Sequence, residues 1–122
     1  MKALAIGLFG VLFAGLGAWA GIDSTSFTRV VADFGPENDH LVHDFGAASV
    51  AIGAGLLLSA RKQAWRTPVL LVATVWNGLH AVSHIADLED AASRTVGIAE
   101  AVLLVAGTAL LGVLAVISKE DT

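Results

Sequence analysis

Residues 3–21 read ALAIGLFGVLFAGLGAWAG, nineteen residues without one charged side chain. As an α-helix this run rises roughly 28 Å, close to the ~30 Å hydrocarbon thickness of a bilayer. It therefore predicts a membrane span. Lys2 in front of it and Ala18-Trp19-Ala20 near its end also resemble a secretory signal peptide, but the apolar stretch exceeds a signal core of about 7 to 15 residues and favours an uncleaved helix. Gly10, Ala14, Gly17 and Gly21 recur at helical spacing and form a stripe of small residues, the feature that lets membrane helices approach closely.

Working outward, Asp23-Ser24-Thr25-Ser26 supplies capping residues before Phe27, Val30, Val31 and Phe34 at i, i+3, i+4 and i+7. This pattern predicts a short amphipathic helix over 24–34 in the membrane interface, stopped by Gly35-Pro36. A second span runs from a cap at Asn38 or Asp39 to residue 60, dense in Gly, Ala and Ser. After the basic break Arg61-Lys62-Gln63-Ala64-Trp65-Arg66, Thr67-Pro68 opens a third span to residue 88. Ser93 caps a fourth, which reaches Ile117.

The expected fold is all-α: an integral membrane antiparallel four-helix bundle in one domain, 1–122, with spans at 3–21, 38–60, 68–88 and 93–117 and the interfacial helix between the first two. Composition agrees, since 56% of the 122 residues are hydrophobic and only 15% charged, with mean hydropathy +0.76. There is no cysteine, and the single methionine is Met1, which excludes a disulfide framework and sulfur-ligated metal. Net charge is −4 with seven Lys and Arg, too few for phosphate-backbone binding, so nucleic acid is not an expected partner. Lys2, Arg61, Lys62, Arg66 and Lys119 fall on one side of the expected membrane and Arg29 and Arg94 on the other. This bias places both termini in the cytoplasm of a multi-pass protein of the cell membrane.

All four histidines fall toward the opposite side. His40, His43 and Asp44 share one face at the start of the second span; Asn77, His80, His84 and Asp87 share one at the end of the third. With a rise of about 1.5 Å per residue, His43 and Asp44 lie roughly 7 to 9 Å in, His84 roughly 6 Å, His80 roughly 12 Å and Glu100 on the fourth span roughly 10 Å. Ionisable groups in hydrocarbon cost about 2.5 to 3.5 kcal/mol each, so such a gathering needs mutual compensation or a bound ion. Imidazole and carboxylate without sulfur suit Zn²⁺, Cu²⁺ or non-haem iron. The expected metal ligands are His43, His80 and His84 with Asp44 or Glu100, and Asn77 or Asp87 orienting an imidazole; His40, nearest water, contributes least. The third span lacks the glutamate of H-E-x-x-H, so a zinc protease is not indicated.

The segment Glu37-Asn38-Asp39-His40-Leu41-Val42-His43-Asp44-Phe45-Gly46 resembles one that recurs in small uncharacterised four-helix bacterial membrane proteins with a histidine-bearing third helix. That resemblance implies topology and no activity. Three functions compete on the sequence: a transition-metal membrane protein for metal handling or as a small oxidoreductase subunit; a haem b cytochrome with His43 paired to His80 or His84; and a non-catalytic subunit or assembly factor. The expected partners are the lipid bilayer and either further copies of the chain or a larger membrane complex.

Overall fold

The chain is all-α in a computed structural model that describes residues 1–119. Five α-helices follow in order, α1 (Lys2–Ile22), α2 (Ser24–Val30), α3 (Asp39–Arg61), α4 (Arg66–Ala86) and α5 (Arg94–Lys119), with single 3-10 turns at Gln63–Trp65 and Leu88–Asp90. Four segments, comprising α1, α3, α4 with its preceding 3-10 turn, and α5, are long and apolar enough to cross a membrane. Their outward faces are apolar, Leu79 being 66% and Leu103 71% exposed. Such a surface fits lipid and would aggregate in water.

Glycine decides how the helices pair. A Cβ on Gly17 would lie 2.6 Å from the carbonyl oxygen of Gly46, and one on Gly53 would lie 2.5 Å from the backbone nitrogen of Ala14. Backbone therefore rests on backbone between α1 and α3, with Gly10, Gly17, Gly46, Ser49 and Gly53 buried in the seam. The small-residue stripe of the first span lies in this contact: Gly10 and Gly17 are buried there and Ala14 faces Gly53. α4 packs on α5 through side chains, with Thr108 against Gly78 and Thr74 against Gly112, and Ile6, Phe13, Leu56, Leu70 and Leu111 form the core shared by the two pairs.

Asn77 ties α4 to α5 by donating from Nδ2 to the Leu104 carbonyl and to Thr108 Oγ1, each at 2.9 Å. Interhelical hydrogen bonds of this kind contribute about 0.6 kcal/mol on average and up to about 1.7 in membrane proteins. Asn77→Leu is expected to lower stability by about 1 kcal/mol without unfolding the chain, measured as a shift in the SDS-unfolding midpoint.

The connections close both ends. Asp23 caps α2 by accepting from the Ser26 backbone N–H at 3.0 Å, a bond that holds the Asp23 carboxyl below the usual carboxylate range. Trp19 Nε1 donates to Ser26 Oγ and Ser24 Oγ donates to Asp39 Oδ1, fixing α2 between α1 and α3. The short helix expected over 24–34 ends at Val30, because Val31 leaves helical geometry at φ −124° and ψ −36°. Residues 33–35 instead pair with 90–92 through an antiparallel bridge, Phe34 opposite Ala91, with Ala92 N donating to the Asp33 carbonyl at 2.9 Å. Gly35, at φ +68°, makes the turn that this pairing requires. At the other end Lys2 Nζ donates to the Ile117 carbonyl and Arg66 to the Ser59 and Ala60 carbonyls, satisfying oxygens that the last turns of α5 and α3 leave open.

Candidate functional site

On α4, Trp76, His80 and His84 succeed each other at i, i+4 and i+8 and so occupy one stripe. Their rings form a column. Trp76 stacks on His80 with centroids 5.2 Å apart and planes at 25°, and His80 meets His84 edge-on at 4.6 Å. Phe45 of α3 lies 5.5 Å from His80, and Phe34, from the bridged loop, covers His84 at 4.6 Å.

Glu100 reaches this column from α5. Its Oε2 lies 3.6 Å from Nδ1 of His84, with the two side chains only 21% and 14% exposed. Neither atom has a hydrogen-bond partner, although both are buried. Buried polar atoms in native proteins are nearly always paired, and these two face each other within ion-pair reach but just beyond hydrogen-bond distance. Glu100 thus approaches His84 rather than Arg94, which is exposed.

The structure brings His80, His84 and Glu100 together and sets His43 and Asp44 apart. The reason is the register of α3. Its glycine face is pressed on α1, which turns Phe45 toward Trp76 and His80. At about 100° per residue, His43 then points roughly 200° away from Phe45. It lies exposed in a groove of the α1–α3 surface with Gly17, Gly21, Ile22, Gly46 and Val50. The pairing of His43 with His80 or His84 expected of a haem clamp does not follow from this register, because Phe45 occupies that place. Asp44 stands 3.6 Å from His40, with side chains 68% and 89% exposed, an ion pair of little consequence in water. Asn77 bonds α5 instead of orienting an imidazole, and Asp87 is the exposed C-cap of α4.

Among the described residues no three His, Asp or Glu groups stand close enough to hold a metal ion unaided. Sequence reasoning missed Phe34, Phe45 and Trp76 as the rings that contact His80 and His84. The four-residue spacing of Trp76, His80 and His84 carried a signal for the tryptophan, whereas Phe34 read as part of an amphipathic helix. Comparison with protein-family models, with curated proteins and with solved structures finds no match, so the functional reading rests on this geometry.

Proposed function

We propose that the chain is a metal-binding protein of the cell membrane, an antiparallel four-helix bundle with cytoplasmic termini that holds one transition-metal ion between His84 and Glu100. The observation that carries this reading is the pair of unpartnered, buried atoms 3.6 Å apart on two different helices. Two ligands on a tetrahedral ion, each about 2.0 to 2.2 Å from it, stand roughly 3.4 Å apart. The existing separation accepts such an ion with little movement.

In this reading the neutral imidazole Nδ1 and the ionised carboxylate donate to the metal, and water completes the shell from the headgroup side. His80, edge-on to His84 and stacked on Trp76, holds the His84 ring in place and offers a further nitrogen if the side chains shift. Zn²⁺, Cu²⁺ and non-haem Fe²⁺ all suit nitrogen and oxygen donors. Water-filled positions leave room for a ligand exchanged with a partner, which fits metal handling or a small subunit of a membrane oxidoreductase.

Metal content decides the reading. Protein purified in mild detergent, dialysed against micromolar Zn²⁺ and then against metal-free buffer, is expected to retain one ion per chain by elemental analysis. It is expected to release that ion as the buffer is acidified, because both ligands must be deprotonated to bind. Less than a tenth of an ion per chain with each of Zn²⁺, Cu²⁺ and Fe²⁺ would overturn it.

A further inference from the structure

The end of the molecule remote from the histidines carries a different feature. α3 and α4 pack less closely than the helices within either pair, and between them runs an apolar groove of about 540 Å³ lined by Ile52, Gly55, Trp65, Pro68, Val69 and Val72. Gly55 and Pro68 leave its floor open, since a Cβ on Gly55 would already touch Val69 at 3.3 Å. At its mouth Trp65 is half exposed, and Arg61 and Lys62 are exposed beside it. Arg66, Lys2 and Lys119 lie at the same end, Lys2 donating to the Ile117 carbonyl.

We propose that this groove binds an anionic phospholipid, with an acyl chain along Gly55, Val69 and Val72 and the phosphate against Arg61 and Lys62. Three properties coincide there. The groove is apolar along the depth of the span, as an acyl chain requires. Its mouth holds an amphipathic indole at the depth where tryptophan prefers the headgroup boundary. Arg61 and Lys62 beside that mouth are exposed and positive, and basic pockets between membrane helices on the positive side complement anionic headgroups. A zwitterionic lipid would gain the first two and forgo the third. The site is independent of His84 and Glu100.

Native mass spectrometry of the full-length protein in detergent tests this with phosphatidylglycerol and phosphatidylcholine of identical chains. Wild type is expected to bind one phosphatidylglycerol at least tenfold more tightly than phosphatidylcholine. Each cation near a lipid surface contributes about fivefold, so R61Q/K62Q is expected to lose roughly 25-fold for phosphatidylglycerol and to bind both lipids alike. Val72→Trp, which fills the groove at a position 62% exposed and so leaves the fold intact, is expected to lose both lipids. Equal binding of the two lipids by wild type, an unchanged R61Q/K62Q, or an unchanged Val72→Trp each overturns the proposal. So does a lipid-free dimer, which would show that a second copy covers the groove.

Discussion

His84→Ala and Glu100→Gln are each expected to lower metal affinity by more than about 100-fold, so that no ion survives dialysis, while the helical circular dichroism stays unchanged. The magnitude follows from ligand number. Changes to groups that merely orient a ligand cost about 10- to 100-fold, and here one of only two protein ligands disappears. His80→Ala is expected to lower affinity by about tenfold, since it removes the ring that holds His84 edge-on. His43→Ala and Asp44→Asn are expected to change nothing, because one lies on the α1–α3 surface and the other pairs with His40 in the open. Isothermal titration with Zn²⁺ measures all five. Equal losses in the His43 and His84 variants would show that the two helices meet in another register.

The second large effect concerns the seam on which that register depends. Gly53→Val is expected to prevent α1 and α3 from packing and to abolish the folded protein. Even a Cβ there would stand 2.5 Å from the Ala14 nitrogen and 2.8 Å from the Gly10 carbonyl oxygen, and backbone cannot move aside as a side chain end can. Overpacking of this kind costs about 1 to 3 kcal/mol per inserted group, which places Gly53→Ala near 3 kcal/mol and the valine beyond it. At Gly15 an added Cβ meets nothing within 4 Å. There alanine is expected to stabilise by up to about 1 kcal/mol, through helix propensity alone. Melting temperatures in detergent separate the two positions. A Gly53→Val protein that melts like wild type would contradict the close approach of the helices.

The contrast between these glycines marks what the sequence could and could not convey. Four apolar runs near bilayer length announce membrane helices by themselves, since burial in lipid depends on composition and length rather than on partners. The stripe of Gly10, Ala14 and Gly17 was legible for the same reason, being a property of one helix. The meeting of His84 with Glu100 was legible in part, as two polar groups at similar depth in adjacent spans. What the sequence withheld was rotation about the helix axis. His43 and Phe45 are both near the start of α3, and only the glycine contact with α1 decides which of them faces α4. The loop at 33–35 was obscured similarly, because Phe34 continues a helical apolar pattern whereas its backbone pairs with residues some 57 positions later. Non-local pairing leaves little trace in a local pattern.

The same pairing explains where Phe34 sits. It stands edge-on over His84 and is held there by bonds between two loops, so it shields the pair from bulk water without belonging to either helix. An ion held there as proposed would interact more strongly with Glu100 for this shielding, since charges attract more strongly at low dielectric.

The most direct measurement is X-ray absorption at the zinc edge of the loaded protein, compared with its His84→Ala variant. A shell of nitrogen and oxygen near 2.0 to 2.1 Å, with the outer scattering of an imidazole that vanishes in the variant, is the expected result. A water-only shell in the wild type, or an imidazole signal that persists without His84, would contradict an ion held between His84 and Glu100.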